Sequence, residues 1–416
     1  MSSKRSSTAI LIFLSIFISA APAIAGILYV SRTGQDPNDG LTWQTAKRNI
    51  QPAILAATPG DEVWVAAGNY PGQITLRESV SLYGGFAGTE ISRDQRDRTA
   101  NKTVLEGYPG YAPVVNIPGS VTPATVFDCF TVRGASLGIS CDGSPTISGN
   151  MIVGNGAYEF TAPGVGLSSR GSPNVVNNMI IGNTVGISVS AGVPRIVNNT
   201  IAGNSYAGLA MWSYPGPGNI LMANNIVAFN GNGIYTGYGP MVVLSHNSVY
   251  GNAINYRNVS AGPTDISADP QLACLELGEV HIQPGSPCID AGDGSVAPAD
   301  DIDGQPRTGA PDIGADESDG TTWERPQRVV YVRWETGSVS GPGTNWGNAF
   351  GRIQPAIDAA ARLGGAEVWV AKGTYLEQVK LRATVHVYGG FEGTETARSQ
   401  RDWHGTRRSS GAQGRL

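Results

Sequence analysis

Residues 150–155 read Asn-Met-Ile-Val-Gly-Asn, and variants of this phrase return as NMIIGN at 178–183, NTIAGN at 199–204, NIVAFN at 225–230 and NSVYGN at 247–252. The start-to-start spacings are 28, 21, 26 and 22 residues. A repeat of this length is typical of a solenoid, in which the chain winds into stacked, similar coils. The phrase therefore predicts a repeat architecture, and it indicates that most of the repeated residues are structural.

The first asparagine of each phrase has a physical reason to recur. A buried amide at a turn can hydrogen bond to the turn backbone and to the amide of the next coil, so that stacked amides satisfy one another. Asparagine also tolerates the left-handed conformation that tight turns require. We therefore predict an internal amide ladder formed by Asn150, Asn178, Asn199, Asn225 and Asn247. A polar row that binds a ligand is the alternative interpretation.

The residues that follow each phrase alternate as expected for a strand with one buried face. Ile187, Leu209 and Ile234 occupy matching places and are predicted to point inward. Tyr235 and Trp212 are then predicted to point outward. Each coil should contribute short parallel strands that stack about 4.8 Å from those of the next coil.

The composition excludes some classes of protein. Of the 416 residues, 15% are charged and 56 are glycine, which indicates a folded but turn-rich chain. The formal net charge of −5 offers no broad basic surface, so we expect no nucleic-acid partner.

The N-terminus has the pattern of an export signal. Two basic residues precede an apolar run over residues 8–20, and Ala-Ile-Ala at 23–25 fits the small-x-small cleavage rule. We predict a signal peptide over residues 1–25 and a mature start at Gly26, with an uncleaved anchor as the alternative. No later segment is apolar enough to suggest a membrane span.

The chain has four cysteines. Export permits disulfides, and the short separations favour local pairs, Cys129 with Cys141 and Cys274 with Cys288. The alternative is that all four are small apolar core residues. The cysteine spacing does not suggest a zinc site.

The repeat region has recognisable borders. Residues 26–103 contain short strand patterns and a helical apolar stripe over 46–57, and we predict that they form an N-terminal cap and the first coils. A cap is needed because the end of a solenoid exposes core and unpaired backbone. Coils follow over 104–263, a closing C-terminal coil over 264–318, and a linker over 319–329.

Residues 330–402 repeat the cap. Three matching segments define the duplication: IQPAI at 50–54 and 353–357, EVWVA at 62–66 and 367–371, and YGGF at 83–86 and 388–391. Residues 403–416 lack apolar periodicity and are locally basic. We interpret this tail as disordered or as the product of a truncated or frameshifted reading frame. A genuine short tail is the alternative, and sequencing the locus beyond the stop codon distinguishes the two.

Three stretches carry a family resemblance. They are YVSRTGQDPNDGLTWQTA at 29–46, LYGGFAGTE at 82–90, and the sequence from ADPQL at 268–272 to DIDGQPRTGAPDIGADE at 301–317. With the asparagine coils, they make the chain resemble exported bacterial right-handed parallel β-helix proteins of the pectate-lyase-like group, including polymorphic surface β-helix proteins. The resemblance implies an all-β, right-handed parallel β-helix with a helix-containing N-terminal cap. It implies no single activity, because this fold carries lyases, hydrolases and adhesins.

Polysaccharide lyases of this fold generally use carboxylates that bind calcium and a lysine or arginine base on one outer face. The candidates in the coil region are scattered over different coils: Asp128, Arg133, Asp142, Glu159, Arg170, Arg195 and Arg257. No stacked acidic cluster with a basic partner is evident. The four histidines also suggest no catalytic arrangement, because His246 fits a structural place and His281, His386 and His404 have no evident partners.

Two short aspartate groups could hold calcium. Asp36 and Asp39 lie in DPNDG, and Asp301 and Asp303 lie in DIDG. Alternating oxygen ligands followed by glycine suit a calcium loop, although neither group has the distal glutamate of an EF-hand. The alternative is that both are turns capped by their aspartates. No other cofactor is indicated.

The outward aromatic residues suggest a ligand. Trp212 and Tyr235 are predicted to face outward on consecutive coils, with Tyr214 and Tyr238 in the nearby turns. Flat aromatic faces stack on sugar rings, and the alternative is that they cover the edge of the coil. We therefore expect a secreted or cell-surface binding or scaffold protein whose partner is a polysaccharide or a cell-envelope component. The alternatives are a polysaccharide lyase or glycosidase and a purely structural spacer.

Overall fold

The computed structural model describes residues 25–108, 112–156, 165–212, 218–237, 242–324, 328–334, 343–362, 365–382 and 384–402. Within these residues the chain winds into stacked coils whose strands form three long parallel sheets. The predicted all-β solenoid is therefore confirmed. Most of the predicted signal peptide and the tail over 403–416 lie outside the described residues.

Each coil from Glu62 onward contributes one strand to each of the three sheets, and Ile27–Val30 adds one further strand to the first sheet. The first sheet contains Ile27–Val30, Glu62–Ala66, Ser81–Phe86, Val126–Asp128, Thr146–Ser148, Asn174–Val176, Arg195–Val197, Ile220–Ala223 and Val242–Ser245. The second sheet contains Gly68–Pro71, Thr103–Glu106, Thr131–Arg133, Met151–Val153, Met179–Ile181, Thr200–Ala202, Ile226–Ala228 and Ser248–Tyr250. The third sheet contains Ile74–Thr75, Pro113–Ile117, Leu137–Cys141, Val165–Ser169, Val185–Val189, Ala207–Met211, Asn232–Thr236 and Ile254–Arg257.

Apolar side chains stack in columns inside the coils. In the first sheet Ile147, Val175, Ile196, Met222 and Leu244 lie in register on consecutive strands, and all are buried. Burying each such side chain contributes about 1.5–3 kcal/mol. Because every coil places an apolar residue at the same point, the core is continuous along the solenoid.

The predicted first asparagines form a hydrogen-bonded column in the turns between the first and second sheets. The side-chain amide of each donates to the side-chain oxygen of the next, from Asn150 through Asn178, Asn199 and Asn225 to Asn247, with all four distances 3.0 Å. All five side chains are fully buried. Their amide nitrogens also donate to main-chain carbonyls, as Asn199 does to Val175 and Val197.

A second amide ladder uses the last asparagine of each phrase, a role that we had not assigned to these residues. Asn155, Asn183, Asn204 and Asn230 donate in turn to the next member, at distances of 2.9–3.2 Å, and Asn230 donates to Asn252. This ladder lies in the turn after the second sheet. The phrase is therefore bounded at both ends by a buried amide, which explains why its length is constant.

The left-handed turn conformation belongs to the residue before the first ladder. Asn177, Asn198 and Asn224 have φ of 52°, 52° and 55°, and His246 has 53° at the next place. The three asparagine side chains turn away from the core and donate to main-chain carbonyls between Asp293 and Gly314. Each Asn-Asn pair thus joins an outer contact to an inner ladder.

Only the start of the predicted closing coil over 264–318 stacks on the coils, through Asp265 and Ile266, and its later described residues add no strand to the three sheets. Leu272–Cys274 and Glu279–Ile282 form a separate antiparallel pair. Residues 290–317, here called the strap, run back along the outside of the solenoid and cover the second sheet. Apolar residues of this region, including Val280, Ile302 and Ala315, pack on Met179 and Ile181. The Gly- and Pro-rich composition suits this irregular path better than a regular coil.

The two cap-like units have the same elements. The first has Ile27–Val30, helix Ile50–Ala56, Glu62–Ala66 and Ser81–Phe86, and the second has Val329–Val332, helix Ile353–Arg362, Ala366–Ala371 and Val385–Phe391. Short 3-10 turns lie at Arg93–Gln95, Leu275–Leu277, Trp346–Asn348 and Arg398–Gln400. Among the described residues, neither α-helix has the length and apolar content needed to cross a membrane.

The two units differ in what covers them. Ile74 and Leu76 are 5% and 1% exposed, because Ile74 pairs with Val115 of the following coil. Their counterparts Val379 and Leu381 are 40% and 73% exposed. The second unit thus has the form of a cap and leaves uncovered the apolar positions that a coil covers in the first.

All four cysteines are buried free thiols in this structure, an arrangement that fits the core alternative. Cys141 points into the core of the coils, whereas Cys129 lies in the turn after Asp128 with a φ of 67°. Cys274 follows the strand from Leu272, and Cys288 packs in a different apolar cluster under the strap. Burial raises the pKa of Cys129 to about 11 and that of Cys141 to about 12.

We expect these thiols to be inert in the folded protein. The thiolate is the reactive form, and both burial and the raised pKa values suppress it. A thiol-reactive chromophore such as DTNB should titrate close to none of the four cysteines under native conditions at pH 8 and all four in guanidinium. Rapid native titration of Cys129 or Cys141 would contradict the burial described here.

Candidate functional site

Three aromatic residues form one cluster on the outer face of the third sheet. Tyr206 and Trp212 flank the strand Ala207–Met211, and Tyr235 lies on the next strand. The rings of Tyr206 and Trp212 stack with centroids 5.7 Å apart, and the ring of Tyr235 meets Trp212 edge-on at 5.6 Å. Tyr206, Trp212 and Tyr235 are here called the aromatic cluster.

Small residues beneath the cluster let the rings fold over the sheet. Ala210 is in register with Tyr235 and with Ser188 of the preceding coil, and both small residues are buried. The indole nitrogen of Trp212 donates a 3.1 Å hydrogen bond to the Ser188 hydroxyl. The ring of Trp212 is therefore fixed in position, although 41% of the residue is exposed.

Arg257 adds a positive charge to this surface. Its guanidinium lies 4.9 Å from the centre of the Tyr235 ring, and it is in register with Tyr235 on the neighbouring strand. Sequence reasoning considered Arg257 only as a lyase base and missed Tyr206, which precedes its strand rather than following it. Tyr214 and Tyr238 lie outside the described residues.

The cluster lies at one end of a column of outward residues. Register pairs on successive strands of the third sheet define it as Asn116, Ser140, Ser168, Ser188, Ala210, Tyr235 and Arg257. The spacing between strands is about 4.8 Å. The column therefore presents an amide and hydroxyls in a line that leads to exposed rings and a guanidinium, a suitable surface for an extended polar ligand.

The candidate lyase residues do not converge. Arg96 pairs with Asp128 at 2.8 Å, and the exposed Arg170 pairs with Asp142 through contacts of 2.7 and 2.9 Å. Arg195 donates to Asn174 at 2.8 Å on the first sheet, and Arg133 lies 3.6 Å from Glu106 on the second. Glu159 lies outside the described residues. The described candidates are thus distributed over different faces, most of them in structural ion pairs or hydrogen bonds.

A cavity of about 730 Å³ lies where the second cap-like unit meets the coils. His386 of this unit contacts the carbonyl oxygen of Glu276 at 2.9 Å, and Arg133 donates to the carbonyl oxygen of Ala361. Inside the unit Arg382 pairs with Asp358 at 3.0 Å. Glu106 and Asp358, two acidic residues of the cavity wall, each pair with an arginine, and neither carboxylate is therefore free to act as a general acid or base.

The calcium candidates are engaged by backbone donors. Asp36 accepts from the amides of Arg48 and Asn49 at 3.1 and 2.9 Å, and Asp39 accepts from the amide of Leu41 at 3.0 Å. These geometries are those of capped turns, which was the alternative interpretation. They leave few oxygen atoms for a cation that prefers six to eight.

Asp301 has a similar role inside the strap. Its carboxylate accepts hydrogen bonds from the amides of Asp303, Gln305 and Glu317, at 3.0, 2.7 and 3.0 Å. Burial raises the pKa of Asp301, while these amide donors act in the opposite direction. Asp301 thus stabilises the turn, whereas the carboxylate of Asp303 contacts His281.

His281 has partners that the sequence had not revealed. Its Nδ1 contacts Glu279, and its Nε2 lies 2.9 Å from Asp303 Oδ2. Trp323 stacks on the imidazole with centroids 3.8 Å apart. Burial lowers the pKa of His281, but the hydrogen bonds to Asp303 and Glu279 outweigh burial and raise it to about 10. The Glu-x-His spacing, which places both side chains on one face of a strand, was the available signal.

The comparisons with known proteins concern the coils. Residues 111–268 match the family model described as NosD, periplasmic copper-binding protein. Together with the three stacked parallel sheets, this match shows that the chain is a right-handed parallel β-helix protein. The matched residues are less than half of the 416-residue chain. No curated protein sequence matches the chain significantly.

Solved structures similar to the chain include the complex of XylC with xylose and pectate lyase Pel9A. The XylC complex has a TM-score of 0.37 and 10% identity over 54% of this chain and 66% of that one. Pectate lyase Pel9A has a TM-score of 0.39 and 14% identity over 73% of this chain and 98% of that one. The β-helix protein thus spans about two thirds of the XylC chain.

Proposed function

We propose that this β-helix protein is exported and binds a polysaccharide along the outer face of the third sheet. The observation that carries the proposal is the aromatic cluster, in which the exposed rings of Tyr206 and Trp212 lie beside the half-buried Tyr235, with Arg257 over the Tyr235 ring. The signal-peptide pattern and the match to a periplasmic family support export.

The chemistry of the surface suits a sugar polymer. The apolar faces of sugar rings pack on aromatic rings, and the hydroxyls of the sugar need donors and acceptors nearby. Ser168 and Ser140 supply half-buried hydroxyls in register along the coil axis. An extended chain lying along that axis contacts several coils at once, so many weak contacts add up.

Copper binding, which is part of the family's printed name, receives little support from the matched residues. They contain a single histidine, His246. Its Nδ1 lies 2.7 Å from Ser245 Oγ and 3.3 Å from Thr264 Oγ1. Those hydroxyls form a local hydrogen-bond group at a turn. A carbohydrate-active enzyme stays the alternative function.

The test is binding of the mature protein to a panel of neutral and acidic polysaccharides by affinity electrophoresis. Trp212→Ala and Tyr235→Ala should each weaken binding about tenfold, because each ring contributes roughly 1–2 kcal/mol of contact. Phe229→Ala is the matched control, since Phe229 is similarly exposed, at 38%, and meets Tyr250 edge-on at 5.9 Å elsewhere on the solenoid.

The same polymers should be assayed for new reducing ends and for unsaturated ends. Binding that is lost with Trp212→Ala and kept with Phe229→Ala supports the proposal. Binding that survives Trp212→Ala, Tyr235→Ala and their combination contradicts it. Cleavage of a polymer by the wild-type protein would instead favour the enzyme.

A further inference from the structure

One group of titratable side chains takes no part in the aromatic surface. His281 lies on the strand Glu279–Ile282, and Asp303 and Asp316 lie on the strap. One possible ligand atom from each of these three residues lies within 4.8 Å of the other two. The group is held together by tertiary contacts, since the strap crosses the strand here.

Asp316 gives the group its unusual chemistry. It is only 3% exposed, and its Oδ2 accepts a 2.9 Å hydrogen bond from the amide of Ile282. Among the described residues, no lysine or arginine forms an ion pair with it, although burial of a carboxylate without a cation is costly.

Basic groups offset only part of the surrounding charge. Burial raises the pKa of Glu279 and of Asp303, but the hydrogen bonds and charge of His281 outweigh it and lower both values, with smaller contributions from Arg328 at Glu279 and Lys102 at Asp303. His281 contacts both of these carboxylates. His281 is also the basic neighbour of Asp316, so all three carboxylates share one imidazole.

We propose that His281, Asp303 and Asp316 bind one divalent transition-metal ion, with Glu279 as the positioning residue for the imidazole. Nε2 of His281, which releases its proton to solvent when the ion binds, and one oxygen of each aspartate are the protein ligands. Glu279 accepts a hydrogen bond from the Nδ1–H group of His281. This bond fixes the tautomer of the ring and turns Nε2 toward the ion, as outer partners do at many metal sites. Trp323 holds the plane of the ring from one side.

The distances suit a small ion after a modest adjustment. Metal–ligand bonds of about 2.0–2.2 Å place two donors on a tetrahedral ion roughly 3.3 Å apart. Nε2 and Asp303 Oδ2 are 2.9 Å apart, and because all three ligand atoms lie within 4.8 Å of one another, they need to approach by at most about 1.5 Å. A cavity of about 140 Å³, lined in part by His281 and Asp303, adjoins the site and gives space for a water ligand.

The ligand set favours zinc-like ions over calcium. Imidazole nitrogen is a preferred ligand of Zn²⁺ and Cu²⁺, whereas Ca²⁺ requires six to eight oxygen atoms. The nearby Asp301 cannot supply these oxygens, because backbone amides already occupy its carboxylate. Binding would join the strap to the strand Glu279–Ile282, and it should therefore stabilise the strap.

The test uses the full mature protein after dialysis against a chelator. Isothermal titration with ZnCl₂ should give one site per chain, and a parallel titration with CaCl₂ should give at least 100-fold weaker binding. Asp316→Asn and His281→Gln should each weaken Zn²⁺ binding more than about 30-fold, and Glu279→Gln should weaken it about 10- to 100-fold. Asp319→Asn is the control, because Asp319 caps an exposed turn through the amide of Thr321.

Circular dichroism checks that each variant keeps the β-helix, and Asp316→Asn preserves the shape of the side chain. A second reading is the melting temperature, which Zn²⁺ should raise for the wild type and the Asp319→Asn variant and leave unchanged for Asp316→Asn. Absence of Zn²⁺ binding to the wild type overturns the proposal. So does equal binding by folded His281→Gln and Asp316→Asn variants, or a preference for Ca²⁺.

Discussion

Replacing Asn199 with alanine should lower the free energy of unfolding by about 4–5 kcal/mol. The Asn199 amide nitrogen donates to Val175, Val197 and Asn225, and its oxygen accepts from both the backbone and the side chain of Asn178. Alanine removes all five hydrogen bonds in a place that water cannot reach. Each buried polar group that loses its partner costs about 1–3 kcal/mol, and local adjustment recovers part of the total.

Asn199→Leu separates the lost hydrogen bonds from the lost volume. Leucine refills most of the space but restores no donor or acceptor, so we expect a loss as large as that of alanine. Asn116→Ala is the control, because Asn116 lies on a coil strand but points outward, and the change should cost less than about 0.5 kcal/mol. Urea unfolding followed by circular dichroism and tryptophan fluorescence gives the comparison.

The outcome also tests cooperativity along the ladder. In a solenoid each coil contacts only its neighbours, so damage at one coil can split unfolding into two steps. A second transition in the Asn199 variants would agree with this. A variant that is as stable as Asn116→Ala would show that the ladder contributes no net stability.

The features that could be predicted from the sequence are those that recur at short intervals. The ladder from Asn150 to Asn247 follows from the repeat, and so does the inward column that includes Leu209 and Ile234. The helix predicted over 46–57 forms at Ile50–Ala56 and buries Ile50, Ala53 and Ile54. In each case one local period determines which side of the element faces the core.

The features that could not be predicted depend on contacts between distant parts of the chain. The strap lies against the coils because Asn177, Asn198 and Asn224 donate to carbonyls that are 69–123 residues away. No periodicity encodes such pairings. Asp303 reaches His281 only because the strap crosses that strand.

The candidate site divides in the same way. Trp212 and Tyr235 were found from strand alternation, whereas Tyr206 was missed because it precedes its strand and only its long side chain brings its ring within 5.7 Å of the Trp212 ring. Strand alternation predicts on which face of the sheet a side chain lies, but it does not predict which neighbours a long side chain contacts there.

Arg307 should be the residue whose loss detaches the strap. The side chain of Arg307 is only 4% exposed, and its guanidinium pairs with the Glu317 carboxylate at 2.9 Å. It also donates to the side chain of Asn177 at 3.1 Å and to the carbonyls of Gly314 and Ala315 at 3.0 and 3.2 Å. Arg307 thus connects the end of the strap, at 314–317, to the side chain of Asn177 on a coil.

Arg307→Met should destabilise the strap by about 3–5 kcal/mol, because it leaves the buried Glu317 carboxylate without its cation. Hydrogen exchange by mass spectrometry should then show a loss of protection of at least 100-fold in peptides from 290–317. Protection of the coil strands should change much less, since the ladders do not involve Arg307. Arg307→Met combined with Glu317→Gln should recover part of the protection, because the unpaired charge is removed.

Arg170→Met is the matched control for this experiment. Arg170 also pairs with one carboxylate, that of Asp142, through contacts of 2.7 and 2.9 Å, but both of these side chains are exposed to solvent. Exposed ion pairs contribute less than about 1 kcal/mol, so this variant should exchange as the wild type does. If Arg307→Met leaves the strap protected, the apolar contacts of Ile302 and Ala315 must hold it instead, and the outer asparagines would be secondary.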